Sequence, residues 1–362
     1  RAVSDRRIRP TDDVEQRLGV PVVGMLPRVD DLTGDHRLVD VDATKSDRRG
    51  GFAVREALRV LRTNLQFMDV DHPPRIIVVT SALPGEGKST VAANLAMTLA
   101  AAGSSVVLID GDLRRPTVSK TLGLSGGAGV TDVLAGRAAV EDVAQRVPNS
   151  SLIVLTAGTI PPNPSEVLGS ERMHQLLRDL AVHATVIVDA PPLLPVTDGA
   201  VLTHQADGAL LVVSAGKTTY DVVERALGAL EKVRGRMLGV VLNRVPASGV
   251  DSSVYAYGYK TSPESEQRRR RGRRGGDTSD PASAVDDSAS LVAVEPDESP
   301  AAEVTETVPP SAPRRPAKKA TSGRPAAATR HGDDVDPSEL DKFFRAVSAD
   351  PAPSPWRPPA QD

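Results

Sequence analysis

"IIVVTSALPGEGKST", residues 76–90, joins a short β-branched run to a glycine-rich loop, and a helical pattern follows it. Gly85 and Gly87 allow the backbone to turn its N–H groups towards an anion, and a helix that starts directly after such a loop adds its positive end. Lys88 can reach the β- and γ-phosphates of a nucleotide, while the Ser89 hydroxyl can ligate Mg²⁺. The stretch therefore predicts a strand, a phosphate-binding loop and a helix.

The motif departs from its strict form at one position. Ala82 stands where the strict phosphate-loop pattern has its first glycine, so the match covers only the GxGK[ST] end. For such an ending taken alone, a glycine-rich turn without a ligand is the alternative. The predicted strand before it and the predicted helix after it favour a nucleotide site.

Further short apolar runs predict the fold around this loop. They are continuous and β-branched, which is typical of strands buried on both faces. They occupy residues 76–80, 106–110, 152–156, 186–189, 209–214 and 237–242. Helix-like stretches such as 90–102 and 220–233 are long enough for crossover connections. The alternation predicts an α/β fold, a mostly parallel sheet with helices on both faces, with an edge strand at 20–26.

The composition divides the chain into two parts. The whole, with 40% hydrophobic residues and a formal net charge of -3, has the composition of an ordinary soluble protein. Residues 1–262 alternate apolar and amphipathic stretches and are predicted to form one domain. Residues 263–362 are rich in Pro, Ala and Arg and cannot bury enough surface to offset their ordering entropy, which predicts a disordered tail. Within it, apolar residues on one face predict a short helix over 337–347.

Three kinds of site are excluded or disfavoured by composition. The sequence has no cysteine, which excludes disulfide bonds and thiolate metal sites within it. No stretch reaches the roughly 18 continuous apolar residues of a membrane helix. Acidic residues balance basic ones, 47 against 44, so the charge does not predict nucleic-acid binding.

Three aspartates follow two of the predicted strands. Asp110 and Asp112 lie in "VVLIDGDLRRP", and Asp189 lies in "VIVDAPP". Ligands of parallel sheets bind at the carboxyl ends of strands. Carboxylates there can ligate Mg²⁺ and accept the proton of an attacking hydroxyl. A single Asp after a strand is more often a cap or turn residue, but three beside a phosphate loop favour catalysis.

The phosphate loop and these acids together resemble the bacterial tyrosine kinases of exopolysaccharide and capsule synthesis, which have a P-loop NTPase fold. The resemblance covers roughly residues 8–260. It implies that Asp110 accepts the proton of the substrate hydroxyl, and that ATP and Mg²⁺ are the cofactors. The implied catalytic residues are Lys88, Asp110, Asp112, Arg114 and Asp189. The implied metal ligands are Ser89, Asp112 and Asp189.

The resemblance implies nucleotide-binding residues in two separate segments of the domain. The Walker A motif corresponds to Gly85, Glu86, Gly87, Lys88, Ser89 and Thr90. Asn243 and Arg244 follow the last predicted strand, at a position that contacts adenine in related P-loop ATPases; a capped strand end is the alternative for them. This favours ATP as the nucleotide.

Three of the four tyrosines of the chain lie at alternate positions in "SVYAYGYKT". Many members of the resembled family end in a tyrosine cluster that they phosphorylate, so the resemblance implies that Tyr255, Tyr257 and Tyr259 are phosphorylated. This cluster has only three tyrosines and is followed by the tail, which are two departures from the family pattern. An edge strand or a surface patch is the alternative, because alternate aromatics are common in strands.

"REALRVLRTNL" carries Glu56, Arg59 and Arg62 at three-residue spacing, on a helix face roughly 140° from the apolar stripe. A solvated face with an i,i+3 pair is the simplest interpretation. In the resembled family an ExxRxxR helix of this kind docks on the next subunit, which implies a ring-like homo-oligomer.

The first residues resemble the cytoplasmic segment that follows the second membrane helix in such kinases. Arginines at positions 1, 6, 7 and 9 suit the inner leaflet. The resemblance implies a place at the cytoplasmic face of the cell membrane, and a membrane-embedded chain-length regulator in the same or a partner chain.

Two other functions fit part of the pattern. ATPases of the partitioning or positioning class share the strand-end acids, but they carry a signature lysine early in the loop, where this chain has Leu83 and Pro84. A regulator that binds nucleotide without transfer would present the same lysine and acids.

Overall fold

The computed structural model describes residues 6–9, 14–29, 38, 51–246 and 342, and in this part the chain forms ten helices and eight strands. The helices are α1 Val14–Leu18, α2 Gly51–Gln66, α3 Lys88–Ala101, α4 Val118–Leu122, α5 Val130–Leu134, α6 Val140–Val143, α7 Pro164–Leu168, α8 Glu171–His183, α9 Asp198–His204 and α10 Tyr220–Lys232. The strands are β1 Val22–Pro27, β2 Ile76–Ser81, β3 Val106–Asp110, β4 Gln145–Arg146, β5 Ile153–Leu155, β6 Thr185–Asp189, β7 Gly208–Ser214 and β8 Met237–Val245.

The strands form one sheet in the order β1-β8-β7-β2-β6-β3-β5-β4. Every neighbouring pair is parallel except β4 with β5. This confirms the predicted α/β fold, and the strand predicted over 20–26 is the edge strand β1. The sequence did not predict β4, because its two half-buried residues, Gln145 and Arg146, carry no apolar pattern.

Helices cover both faces of the sheet. Side chains of α2 and α3 pack on one face, and those of α8, α9 and α10 pack on the other. Neighbouring residues of β2 illustrate the effect: Val78 contributes to one core and Val79 to the other, and both are fully buried. The sequences of these strands are continuous apolar runs because helices cover both faces of the sheet.

The strand order brings the predicted site together. β2 lies between β6 and β7, and β3 lies on the other side of β6. In the β3–β6 register Asp110 is directly opposite Asp189, and Gly111 N donates to Asp189 O at 2.8 Å. Two acids that are 79 positions apart in the sequence are therefore neighbours at the edge where the phosphate loop begins.

Some predictions fall outside the described residues. They are the tyrosine cluster 255–259 and the tail 263–362, of which only Lys342, which is helical and exposed, is described. In the described ranges, no helix combines the length and apolar character needed to cross a membrane.

Candidate functional site

The glycines of the phosphate loop are required by both conformation and space. Gly85 and Gly87 have φ angles of 81° and 100°, in the left-handed region. A Cβ on Gly87 would lie 2.3 Å from Asn243 Nδ2. α3 begins at Lys88, directly after this glycine, so the first turn of a buried helix faces the loop.

The Asn243 side chain makes hydrogen bonds within the protein. Its Nδ2 donates to Glu86 O at 2.8 Å, and its Oδ1 accepts from Arg244 N at 2.9 Å. Arg244 has a φ of 59°, which is uncommon for a residue with a side chain. Of the two residues predicted to contact the base, Arg244 lines the cleft described below, whereas Asn243 holds the phosphate loop.

Lys88 lies between two carboxylates. Its Nζ is 2.8 Å from Asp112 Oδ2 and 3.3 Å from Asp189 Oδ1, and it donates to Ser89 Oγ at 3.1 Å. Burial alone lowers the pKa of Lys88, but the charges of Asp189 and Asp112 outweigh that effect, so the net pKa is raised. The lysine is therefore a fixed cation at neutral pH, within reach of both acids.

Asp110 and Asp189 are fully buried, and each has one oxygen without a hydrogen-bond partner in the described part of the chain, Oδ1 and Oδ2 respectively. Burial, followed by the nearby charge of Asp189, raises the pKa of Asp110 to about 7. Burial also raises the pKa of Asp189, although Lys88 opposes it. The other oxygen of Asp110 accepts from Thr117 N at 3.1 Å and Val118 N at 2.9 Å. Asp110 thus caps α4 with one oxygen, and within the described ranges the other oxygen accepts no hydrogen bond.

Arg114 is held by a residue that the sequence did not single out. Its guanidinium makes two hydrogen bonds to Asp198, of 2.7 and 3.1 Å, and one to Ser165 Oγ of 3.2 Å. Asp198 is fully buried. Because Asp198 opens a helix in "VTDGA", its sequence context indicates only a helix start, and its distance of 84 positions from Arg114 gives no local signal.

These elements enclose a cleft of about 680 Å³. Eight of the predicted residues line it: Gly85, Gly87, Lys88, Ser89, Thr90, Asp112, Arg114 and Arg244. The rest of the lining was not predicted as part of the site and comprises Pro84, Arg115, Thr117, Pro191, Pro192, Pro195 and Val196, of which the last four form a proline-rich wall after β6. Four predicted residues are not among the lining residues: Glu86, Asp110, Asp189 and Asn243. The volume is that of a typical small-molecule site.

The donor set fits a magnesium ion that is bound together with a nucleotide. Among the described residues, no group of three or more His, Cys, Asp or Glu side chains is arranged to hold a metal. Mg²⁺ commonly takes only one or two carboxylates and completes its shell with water and phosphate oxygens. Ser89, Asp112 and Asp189 lie around Lys88. Asp189 Oδ2, which has no partner among the described residues, leaves acceptor capacity for such an ion.

The predicted interface helix is α2. Its apolar stripe is buried, and Arg59 is exposed and paired with Glu56. Arg62 has a buried Nε without a partner among the described residues. The pair fits a solvated face, whereas a buried guanidinium nitrogen without an acceptor is uncommon.

Comparisons with known proteins identify relatives of this chain. The profile described as "ParA: NUBPL iron-transfer P-loop NTPase" matches residues 72–262. Tyrosine-protein kinase YwqD of Bacillus subtilis is 43% identical over 189 residues, which are 52% of this chain and 80% of YwqD. The chain belongs to the bacterial tyrosine-protein kinase family of P-loop NTPases.

Two other members of the tyrosine-kinase family show how far the similarity extends. Putative tyrosine-protein kinase EpsB of Ralstonia nicotianae is 32% identical over 265 residues, which are 70% of this chain but 34% of EpsB. The kinase domain of Escherichia coli tyrosine kinase ETK is 31% identical, with a TM-score of 0.58; the match covers 65% of this chain and 96% of that domain.

The description of the matching profile mentions iron transfer. The given sequence has no cysteine and therefore contains none of the thiolate ligands that commonly bind iron in clusters.

Proposed function

We propose that the chain is an ATP- and Mg²⁺-dependent protein-tyrosine autokinase that phosphorylates Tyr255, Tyr257 and Tyr259 of a neighbouring copy. We further propose that it thereby regulates the assembly of a polysaccharide synthesis and export machine. The observation that carries the proposal is the position of Lys88 between Asp112 and Asp189, beside a glycine loop that opens a buried helix. The similarity to tyrosine-protein kinases supports tyrosine as the acceptor.

Phosphoryl transfer depends on positioning and charge neutralisation more than on covalent chemistry. The loop N–H groups and Lys88 would bind the phosphates. Bound Mg²⁺ would neutralise phosphate charge, and Ser89, Asp112 and Asp189 would hold it.

A tyrosine hydroxyl must lose its proton as it attacks, and Asp110 is our proposed acceptor. Its Oδ1, which has no hydrogen-bond partner among the described residues, supports this role. Asp110 is fully buried and does not line the cleft, so this role requires that the residues covering it move when the substrate binds. Asp112, which already lines the cleft, is the alternative acceptor. If Asp110 is the acceptor, Asp110→Asn should lower kcat about 100-fold or more at unchanged Mg²⁺-dependent nucleotide affinity. Asp112→Asn also removes a proposed Mg²⁺ ligand, so a near-native kcat in Asp110→Asn is the result that would assign the acceptor role to Asp112.

Incubation with labelled ATP and Mg²⁺ followed by phosphopeptide mapping tests the activity directly. We expect label on the 255–259 cluster and none on a Lys88→Met chain. Label that persists without Lys88, or that lies only on Ser and Thr, would contradict the kinase assignment. Nucleotide binding without any label would favour the regulator instead.

Transfer between copies is supported by chain length and by α2. Tyr257 lies 12 positions after Val245, which allows a reach of at most roughly 40 Å. The exposed Arg59 and its partner Glu56 offer charged groups to a second copy, and Arg62, whose Nε has no acceptor among the described residues, lies on the same helix. Each phosphate adds a charge of about -1.5 to -2, so we propose that a ring-like assembly loosens as the cluster fills.

A mixing experiment tests whether the phosphoryl group is transferred from one copy of the chain to another. A Lys88→Met chain that keeps its tyrosines is mixed with an active chain whose three cluster tyrosines are Phe. Label on the Lys88→Met chain supports transfer between copies, and it should fall when Arg59 and Arg62 are Ala in both. An unlabelled mixture, with the native protein labelling equally at every dilution, would assign transfer to a single chain.

We also propose that the domain works at the cytoplasmic face of the membrane, next to a membrane-embedded regulator in the same or a partner chain. EpsB, of which this chain matches only about a third, supports an arrangement with further parts. Fractionation of cells that express the native gene, with and without its flanking regions, tests the location.

A further inference from the structure

We propose that Glu86 is a positioning residue of the phosphate loop, and that Thr218 ties it to residues 6–9, here named the N-terminal strap. The inference deepens the proposed function, because it rests on the nucleotide site described above. Neither residue lines the cleft. Both act by fixing the loop that would bind the phosphates.

Glu86 lies between the two left-handed glycines of the loop and is only 4% exposed. Its Oε2 accepts from Leu83 N at 2.8 Å, within the same loop. Its Oε1 accepts from the Thr218 hydroxyl and, at 3.4 Å, from Ser214 N. All three partners are donors, which matches the acceptor capacity of the two carboxyl oxygens. The side chain thus holds the loop closed at one end and attaches it to the end of β7 at the other.

Thr218 connects Glu86 to the strap because it bonds in two directions. Its hydroxyl donates to Glu86, while its carbonyl oxygen accepts from Ile8 N at 2.9 Å. The strap is anchored on both sides of this bond: Gly216 N donates to Ile8 O at 2.8 Å, and Tyr220 N donates to Arg6 O at 3.1 Å. The Ile8 side chain is fully buried in the core beneath α10.

The chain of contacts therefore runs from the strap, through one threonine, to the phosphate loop. A phosphate-binding loop works by presenting its N–H groups in a fixed arrangement, so ordering it beforehand raises affinity without a contact to the ligand. A buried carboxylate that loses a donor is costly. Loss of the Thr218 hydroxyl should release the loop, and loss of the Ile8 anchor should do the same more weakly.

The first test compares three variants. Thr218→Val removes the hydroxyl at nearly equal volume, and Thr218→Ser keeps it. Thr203→Val is the matched control, because Thr203 is also buried and its hydroxyl donates to Gly199 O at 2.7 Å, away from the loop. The probe is a fluorescent ADP analogue with Mg²⁺, which needs no transfer. We expect Thr218→Val to weaken binding about tenfold, and the other two variants to stay within about twofold of the native protein.

Hydrogen exchange in the nucleotide-free protein provides a second measurement. The amides of Leu83 and of residues 85–87 should exchange several-fold faster in Thr218→Val than in Thr218→Ser or Thr203→Val. If the native chain binds no nucleotide, the proposed function fails, but this exchange still decides the positioning role. Unchanged exchange and affinity in Thr218→Val, or equal losses in Thr203→Val, would overturn the inference.

A double-mutant cycle tests the link to the strap. Ile8→Ala alone should weaken ADP-analogue binding about threefold, and Ile8→Ala with Thr218→Val should be no weaker than Thr218→Val alone. That result shows that the strap acts through Thr218. Additive losses, or no loss in Ile8→Ala, would show that the strap and the loop are independent.

Discussion

Asp189, at the end of β6, and Asp132, in the first turn of α5, are both buried, at 0% and 6% exposure, yet their pKa values move in opposite directions. Burial raises the pKa of Asp189, and one of its oxygens has no partner in the described part of the chain. Burial also acts to raise the pKa of Asp132, but its hydrogen bonds to Arg137, Gly129 and Thr159 prevail and lower it to about 2.

The difference lies in how completely each carboxylate is paired. Asp132 accepts from Gly129 N, Thr159 N, the Thr159 hydroxyl and the Arg137 guanidinium, which closes the turn between α5 and the end of β5. Asp189 shares Lys88 with Asp112, and its Oδ2 accepts no hydrogen bond from the part of the chain that the structure describes. Burial of an acid therefore does not by itself mark a catalytic site. An unfilled acceptor beside a cleft is the distinguishing feature.

The largest expected effect is on catalysis at Asp189. Asp189→Asn should lower autophosphorylation at least about 100-fold, because it removes a proposed metal ligand. The free energy of unfolding should change by no more than about 1 kcal/mol, because the amide removes a buried charge and Lys88 keeps Asp112 as its partner. Labelling rates and urea unfolding measure the two quantities. A native labelling rate in Asp189→Asn would contradict the assignment of Asp189 to the catalytic site.

The same substitution at Asp132 should have the reverse outcome. Asp132→Asn should lower the free energy of unfolding by about 2–3 kcal/mol, because an amide nitrogen would face N–H donors and Arg137 would lose its charge partner. Activity per folded molecule should stay within about threefold of the native protein. Equal losses of unfolding free energy in Asp132→Asn and Asp189→Asn would mean that hydrogen-bond pairing of the carboxylate does not distinguish the two sites.

The pH dependence of stability should sharpen the comparison. The folded pKa of Asp132 is about 2 and its ordinary value is 3.8. A lowered pKa contributes stability that is complete above the ordinary value and is lost as the pH falls through the folded value. The difference in unfolding free energy between native protein and Asp132→Asn should therefore be constant above about pH 5 and shrink between about pH 4 and 2. A difference that does not change over this range would contradict the assigned pKa.

The smallest effect is expected at Arg137, whose side chain is 55% exposed. Arg137→Ala should lower the free energy of unfolding by about 1 kcal/mol or less, because solvent screens the ion pair. Asp132 keeps its other three donors in this variant. Urea unfolding of Arg137→Ala and Asp132→Asn compares their losses of unfolding free energy. A larger loss in Arg137→Ala would mean that the ion pair, and not the hydrogen bonds of Asp132 to Gly129 and Thr159, stabilises the turn between α5 and β5.

Local patterns were sufficient for most of the fold. Strands such as β2 and β7 are continuous apolar runs because helices cover both faces, and the glycines of residues 85–87 mark a loop that no other residue type would form easily. β4 and the short helices α4 to α7 lack such a signal. They consist of two to five residues and are held by contacts with the rest of the chain.

The sequence by itself determined the α/β class, the phosphate loop and the strand-end acids, because these depend on residue type, spacing and periodicity over a few neighbouring positions. Only the tertiary structure decided what each side chain does. It directs Glu86 and Asn243 into the protein, pairs Arg114 with Asp198, and buries Asp110 behind the cleft. These outcomes depend on residues dozens of positions away, which the strand order brings within hydrogen-bond distance and which no local pattern encodes.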